Sequence, residues 1–505
     1  MRPLSPPCSQ ATSLRALASA TSQPVGLQAP FGERQGQRRR QNATLRRPPQ
    51  VPRVFLAHLS SCLGLLGLAQ RRFLRACARP VRRSFRGNRL KAEQASLLGR
   101  LLEAGFTLEP VPWCADGFFH SGSEAQLRGR RSQRTVDEVA AAEEGLPEVA
   151  FGLARPHLTG EVYGQESTSM LPAEVLKAAL LTPGLAGQSP GSSLRILDLC
   201  AAPGSKTTQL GDWLQTIGGL LVANEPDAAR HRVLRSNLLR AGIVDCIRTR
   251  LDGRRLGDLA PEAFDAVLVD APCSGEGNIR KASDALDAWA DPDQGQRRRR
   301  AWSELQWELL QSGWRALRPG GVLVYSTCAL NWEEDEAQVL RLLELGGVEP
   351  LDPAQLLRLR GDVLGAAQPD LGPASSVPGC LRAWPHALDA EGFFVSCFRK
   401  AAGTATEPVP GGALEEQTFR LLDEESAEEV RELARSAQRL GFWPPEPLDG
   451  RPARRLALEE DGRIFLLPGP ELGRALQRLA CEAEEPGVLV ASRDKANGGD
   501  LQISE

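Results

Sequence analysis

Two cysteines in this chain follow short apolar runs: Cys273 in Asp270-Ala271-Pro272-Cys273-Ser274-Gly275-Glu276-Gly277, and Cys328 in Tyr325-Ser326-Thr327-Cys328. Each stands where a buried parallel strand would end. In an open α/β sheet, ligands bind beyond the carboxyl ends of the strands, so residues from distant segments can converge on one substrate. Either cysteine alone reads as strand packing, because buried cysteine is common. Two thiols at strand ends beside Pro or Thr, with Asp270 adjacent, instead suggest covalent chemistry.

A third apolar run, Leu194 to Leu199, leads into Cys200-Ala201-Ala202-Pro203-Gly204-Ser205-Lys206. Small residues here would let a ligand approach the backbone closely, at the opening of a helix. The Gly-x-Gly-x-x-Gly of a dinucleotide site is absent, and a P-loop would need Gly in place of Ser205. The loop suits a zwitterionic nucleoside cofactor, with Glu225, after the next strand, accepting ribose hydroxyls. S-adenosylmethionine meets these requirements. Glu225 reads alternatively as a helix N-terminal acid before Asp227. Asp252, in Leu251-Asp252-Gly253-Arg254, falls in a turn after the third strand, where an acid can meet the adenine end, although Asp-Gly is also an ordinary turn. Cys200 reads as loop packing against the cofactor.

The elements that must position these residues come from the hydrophobic pattern. Apolar runs at 194–199, 220–223, 264–269 and 322–326 alternate with amphipathic stretches such as 227–240 and 301–317. That alternation predicts parallel strands joined by helical crossovers. Leu317-Arg318-Pro319-Gly320-Gly321 reads as a helix stop and turn, and 392–398 as a closing strand. Trp289, Trp302, Trp307 and Trp314 read as core. The stretch 54–69 is too short for a membrane span and reads as an amphipathic packing helix.

The 505 residues suffice for two or three domains, and the net charge of −2 conceals an asymmetry. Before Glu93 the only acid is Glu33, while arginines recur from Arg2 to Arg89. An anionic partner at the N-terminal side is expected. Residues 1–50 are acid-poor and rich in Ser, Ala, Pro and Arg, matching a leader for a chloroplast or mitochondrion; a nuclear or nucleolar address through Arg38-Arg39-Arg40 is the alternative. The eleven cysteines form no Cys-x-x-Cys pair, which argues against a metal site and a disulfide scaffold. Reduced thiols are expected.

The domain reading is a leader at 1–50, an N-terminal RNA-binding domain at 54–120, a linker or insertion at 121–150, a cofactor-binding α/β domain at 151–400, a linker at 401–413 and an acidic region at 414–505. In Arg79-Pro80-Val81-Arg82-Arg83-Ser84-Phe85-Arg86-Gly87-Asn88 an aromatic is interleaved with cations, as in backbone-and-base contact surfaces, although a solvated basic strand would look the same. Gln296-Arg297-Arg298-Arg299-Arg300 is a second basic run.

The segments 200–208, 270–277 and 326–328 resemble the motifs of the RNA cytosine-5 methyltransferases, the Sun/RsmB/NSUN family. Gln165-Glu166-Ser167-Thr168-Ser169-Met170, Ala202 to Thr208 and Gly275-Glu276-Gly277-Asn278-Ile279-Arg280-Lys281 are most similar to bacterial RsmF-type ribosomal RNA enzymes. The likeness covers roughly Val54 to Lys400 and includes Pro112-Trp113-Cys114 and Asp389 to Phe394. It implies a Rossmann-like class I methyltransferase sheet, a small α+β RNA-binding domain before it, a short C-terminal extension, and S-adenosylmethionine held by Cys200, Ala201, Ala202, Pro203, Gly204, Ser205, Lys206, Glu225, Asp252 and Asp270.

The resemblance also implies roles. Cys328 attacks cytosine C6, Cys273 helps break the adduct after methylation, and Asp270 holds the cytosine edge near N3 and N4. Lys206 lowers a nearby thiol pKa or fixes the loop. Arg82, Arg83, Arg86 and Lys281 are put forward as RNA contacts, in a monomer that acts on ribosomal or transfer RNA without a membrane. The family's longer C-terminal RNA-binding region has only a faint counterpart around 463–468. Two rival readings are a non-catalytic RNA-binding assembly factor that keeps the fold, and a DNA cytosine methylase with Cys273 as nucleophile.

Overall fold

The computed structural model describes residues 51–121, 151–182, 194–243, 246–282, 284–359 and 375–403, with five short strands between 420 and 503. The expected leader, residues 122–150 of the insertion and residues 404–413 of the linker lie outside the described residues.

Two helices, α1 (Arg53–Leu63) and α2 (Gly67–Cys77), replace the single helix expected over 54–69. Gly64 takes φ 66° and returns its N–H to Leu59 O, ending α1 inside the apolar run. Phe55, Leu59 and Phe73 are fully buried against Ile279, Trp289, Leu330 and Trp384, so these helices pack on the segments that follow the two cysteines. His58 Nε2 accepts the Trp332 N–H at 3.1 Å, a bond that needs neutral imidazole. Burial lowers the His58 pKa in keeping with that role.

Strand β1 (Arg83–Gly87), helix α3 (Gln94–Glu103), and strands β2 (Thr107–Val111), β3 (Cys114–Ser121) and β4 (Val162–Gly164) build an antiparallel sheet in the order β2-β3-β1-β4. Phe85, Phe106, Phe118 and Phe151 fill its core.

The main domain begins with helix α4 (Leu171–Leu181) and alternates β5 (Leu194–Asp198), α5 (Ser205–Ile217), β6 (Gly219–Asn224), α6 (Ala228–Ala241), β7 (Cys246–Thr249), β8 (Phe264–Asp270), α7 (Pro292–Ala316), β9 (Leu317–Thr327) and α8 (Glu336–Leu343). Strands β10 (Val348–Leu351), β11 (Cys380–Ala383) and β12 (Phe393–Lys400) complete it. The sheet order is β10-β12-β9-β8-β5-β6-β7, with β11 also on β12. Strands β5 to β9 pair in parallel, and β12 runs antiparallel to β9.

Alternate strand residues feed two cores, because successive side chains in a strand point to opposite faces. Ile196, Ala266, Leu268, Val322 and Val324 pack with α4, α5 and α6; Leu197, Val267, Val269, Leu323 and Tyr325 pack with α7 and α8. This is the doubly wound arrangement that the alternating pattern predicts. The predicted turn at 317–321 is instead a bulge within β9: Leu317 pairs with Phe264, and pairing resumes at Ala266 and Val322. Trp289 and Trp314 are buried as expected. Trp302 and Trp307 are only partly covered, and the Arg341 guanidinium lies over the Trp307 ring.

The C-terminal region holds an antiparallel sheet the sequence pattern did not announce, β13 (Arg420–Leu421), β14 (Arg455–Leu458), β15 (Arg463–Leu467), β16 (Val488–Arg493) and β17 (Leu501–Ile503), paired in chain order. Among the described residues no helix is long and apolar enough to cross a membrane.

Arg86 corrects a sequence expectation. Its side chain is buried, donating to Thr208 Oγ1 at 2.8 Å and Gln165 Oε1 at 3.3 Å and facing Asp212 Oδ2 at 3.4 Å. Both faces of β1 are covered, with Ser84, Phe85, Arg86 and Gly87 all buried, and only Arg83 at its start stays exposed. Removing one partner of a buried ion pair costs about 3–5 kcal/mol. Arg86→Met should therefore lower urea stability by an amount of that order, whereas Arg83→Ala should stay within about 0.5 kcal/mol of the parent; equal effects would contradict the assignment.

Candidate active site

Parallel pairing sets Asp270 of β8 beside Ser326 of β9, and Ala271 N–H donates to Ser326 O at 2.9 Å. The segments leaving these two strands bring the Cys273 and Cys328 sulfurs to 3.2 Å from each other. Asn278 Nδ2 also lies 3.3 Å from Cys328 Sγ. The hydrogen bond with Cys328, followed by burial, holds the Cys273 thiol well above its ordinary range.

A buried polar lattice ties the two cysteine loops together. Glu276 accepts from Ser274 Oγ at 2.6 Å, Trp289 Nε1 at 2.9 Å, Asn331 Nδ2 at 3.1 Å and Leu330 N at 3.2 Å. Glu334 accepts from Gln306 Nε2 at 2.7 Å, Asn331 Nδ2 at 2.8 Å and Ser274 N at 3.0 Å. Burial beside Glu276 pushes the Glu334 carboxyl up to about 7. Gly277 lies beneath this lattice, where a Cβ would stand 2.1 Å from Gly392 O and 2.7 Å from Cys328 O. Only glycine fits such an approach.

Asp270 accepts from Lys206 Nζ at 2.6 Å and Ser326 Oγ at 2.7 Å. Lys206 reaches it from the first turn of α5, with its Nζ 5.1 Å from the centre of the Phe393 ring. Asp198, Cys200, Ala201, Ala202, Pro203, Ser205, Lys206 and Asp270 line one narrow cleft. The loop enters α5 through Gly204 at φ 107°, closely packed on Leu234. Asp198 accepts from Thr207 Oγ1 at 2.7 Å, while its buried Oδ1 has no hydrogen-bond partner in the structure. Burial raises the Asp198 pKa to about 7 and drives the Cys200 thiol well above its usual range. An orphaned acceptor beside a loop of small residues fits a ligand that carries N–H or O–H donors.

Glu225 is buried at the end of β6, accepts the Asp227 N–H at 3.0 Å and pairs with Arg230 at 3.2 Å. Arg230 also donates to Ala202 O at 2.8 Å, linking this acid to the cleft loop. Both readings of Glu225 are thus compatible with its position. Asp252 follows β7 by three residues. It caps the turn Gly253–Arg255, and its carboxylate is taken up by the Arg254 side chain, which lowers its pKa.

Of the expected RNA contacts, Arg82 pairs with Glu109 and stacks over Phe119 at 3.8 Å, and Lys281 pairs with Glu391 at 2.9 Å. Sequence reasoning assigned no role to Asn224, Glu276, Asn278, Asn331 or Glu334. Asn224 bridges three strand ends by donating to Leu199 O and Leu251 O and accepting from Thr249 Oγ1. A signal existed for the acids and Asn331, since they stand within six residues of a cysteine. Among the described residues no cluster of metal-ligating side chains occurs.

A doubly wound sheet with a ligand loop after its first strand and a thiol pair beyond two central strands defines a methyltransferase-type α/β fold carrying a two-cysteine site. Residues 188–399 match the family model for the 16S rRNA methyltransferase RsmB/F, and residues 51–167 match that for the N-terminal domain of 16S rRNA methyltransferase RsmF. The chain belongs to the RsmB/F family. It is 40% identical over 364 residues to ribosomal RNA small subunit methyltransferase F of Escherichia coli, and 40% over 362 residues to that of Shigella boydii. Each alignment takes in 72% of this chain and 66% of the relative, so the chain spans just under two thirds of the relatives' length. A methyltransferase homolog protein from Pyrococcus horikoshii shares the fold with 28% identity and a TM-score of 0.51, covering 70% of this chain and 96% of that one. NSun6 from the same organism, solved with SFG, is 22% identical with a TM-score of 0.50, covering 66% and 94%.

One pH dependence follows from Glu391, at the entrance to β12. Burial, with Glu166 adding and Lys281 opposing, pushes its carboxyl up to about 7. The unfolded group titrates near 4.3, so between about pH 4.5 and 7 the folded chain keeps a proton the unfolded chain has lost, and stability falls as pH rises. Glu391→Gln should make the fall in urea midpoint between about pH 5 and 7.5 shallower; an equal or steeper fall would contradict this.

Proposed function

We propose that the chain is an S-adenosylmethionine-dependent RNA cytosine-C5 methyltransferase acting on small-subunit ribosomal RNA. The observation that carries this reading is the approach of the Cys273 and Cys328 sulfurs to 3.2 Å, one strand away from the Lys206–Asp270 pair. The names of the relatives support a ribosomal RNA substrate.

Cytosine C5 is too weak a nucleophile to attack a methyl sulfonium directly. In the proposed mechanism the Cys328 thiolate adds to C6, and the C5=C6 π pair moves to C5, making it enamine-like. Asp270, oriented by Lys206, holds the N3 and N4 edge and stabilises its protonated form. When bound, S-adenosylmethionine supplies the methyl group that C5 takes up. Loop residues 200–206 and the Asp198 and Glu225 carboxylates would hold it. Cys273, once it has released its own proton to solvent, then takes the C5 proton as the C5–H pair reforms the C5=C6 bond and the S–C6 pair returns to Cys328. Base access requires a nucleotide that is unpaired or flipped from its stack.

The acid-poor, arginine-rich segment 1–50 supports delivery to a chloroplast or mitochondrion. Import of the full chain into isolated organelles, with cleavage of the leader, tests that part; accumulation in nucleoli would overturn it.

Cys328→Ala should abolish methyl transfer to ribosomal RNA, and Cys273→Ala should accumulate a covalent protein–RNA adduct on denaturing gels. Full turnover by Cys328→Ala would sink the mechanism, and an adduct lost only in Cys273→Ala would favour the DNA-methylase order of roles. Bisulfite sequencing of RNA from cells lacking the chain should show a lost cytosine mark in small-subunit ribosomal RNA. Tight RNA binding with no methyl transfer would favour an assembly factor instead.

A further inference from the structure

We propose that Asn278 is a further catalytic residue, whose side-chain amide donates to the Cys328 sulfur and stabilises it as the thiolate. Its role in turnover rests on the proposed methyl transfer; its effect on the thiol does not.

Asn278 Nδ2 lies 3.3 Å from Cys328 Sγ, within range of an N–H···S bond. Its backbone is fixed on both sides. Asn278 N–H donates to Gly275 O at 3.0 Å, and its carbonyl accepts from Lys281 N and Ala282 N, each at 2.8 Å. One residue earlier, Gly277 N–H holds Cys328 O at 2.8 Å, binding the turn to the cysteine it serves. Two residues later, Arg280 is locked to Arg79 O, Pro80 O, Ala390 O and Asp389 Oδ1 at 2.6–3.1 Å. The amide is therefore carried on a platform anchored to both the N-terminal helical region and the segment before β12. Asn278 and Cys328 are each only partly covered, so a substrate can reach the pair.

Two groups approach the sulfur, and they differ in kind. The Cys273 thiol, 3.2 Å away, donates only while it keeps its proton. The Asn278 amide does not titrate and remains a donor in every state of the reaction. A thiolate accepts such a bond strongly, whereas the thioether of an adduct is a weak acceptor. The amide thus favours the ionised thiol before attack. It also favours the sulfur's departure, when the S–C6 pair returns to Cys328 and C5 loses its proton to the base. Cys273 can then act on the C5 proton without leaving the Cys328 sulfur bare.

The test is peptide-resolved alkylation of Cys328 by iodoacetamide on the full chain, read by mass spectrometry from about pH 6 to 10, without cofactor or RNA. Loss of a charge-assisted hydrogen bond at a partly covered site should move the Asn278→Leu curve up by about one pH unit. Asn278→Asp, which adds like charge and removes the donor, should move it further; Asn278→Ser, which keeps an O–H donor, should fall between Leu and the parent. Continued protection of buried Cys397 reports folding, and if Asn278→Leu exposes it, the Asp and Ser variants decide. Curves for Leu and Asp that superimpose on the parent overturn the proposal. Single-turnover methyl transfer by Asn278→Leu should be about tenfold slower near neutral pH, with the gap closing above about pH 9; a pH-independent defect would indicate mere structural support and overturn the catalytic role. If the parent itself transfers no methyl group to RNA, the activity reading fails, while the alkylation curves still decide whether the amide acts on the thiol.

Discussion

The register of β8 against β9 is the constraint on which the site depends. Parallel pairing places Asp270 level with Ser326, and the Ala271 N–H to Ser326 O bond carries the pairing one residue past the carboxylate. Cys273 stands three residues beyond Asp270, and Cys328 two beyond Ser326. Because both strands run the same way, both thiols emerge at the same end of the sheet. A slip of one residue would exchange the faces of an entire strand, and the two cores, fed by alternating residues of β8 and β9, oppose it.

Register alone leaves two loops free to splay. The lattice around Glu276, Asn331 and Glu334 closes them, with Gln306 of α7 reaching across to Pro272 O at 2.9 Å. Buried carboxylates are costly unless their oxygens are satisfied, and here backbone N–H groups, amides and an indole supply the donors. The N-terminal helices cover the lattice from outside: Phe55 packs edge-on to Trp289, whose indole serves Glu276, and His58 takes the Trp332 N–H. The segment before the first sheet thus helps shape the site from outside the Rossmann-like domain.

Much of this was legible in the sequence. Near-continuous apolar runs and amphipathic crossovers identify β5, β6, β8, β9 and β12 within a few residues, because burial on both faces leaves little ambiguity. The cysteines, Asp270 and the 200–206 loop stand out as strand-end residues for the same reason. The arginines were harder to read. Composition marks Arg82, Arg83 and Arg86 as one basic group, yet tertiary contacts bury Arg86 on Asp212 and Thr208, and Arg82 pairs with Glu109. Lys281 meets Glu391, 110 residues away in the chain, a pairing no local pattern announces. Asp252 also pairs with the arginine two residues on, a contact its Asp-Gly turn does not announce. The helix break at Gly64 escaped because it lies inside an apolar pattern that reads as continuous, and the bulge in β9 read as a turn because Pro319, Gly320 and Gly321 mark turns more often than strands.

These misses share one physical cause. A sequence pattern records which residues tend to be buried, but a charged residue's role depends on whether its partner lies inside the protein or on a ligand, and that is decided by tertiary contact. Lys206 shows the distinction. Its ammonium is buried against Asp270 and Phe393, so it cannot serve as a free surface cation. What it can do is orient Asp270 beside Ser326, at the level where the two cysteine loops begin. The loop after β5 and the strand that leads to Cys273 are therefore joined through that one ion pair.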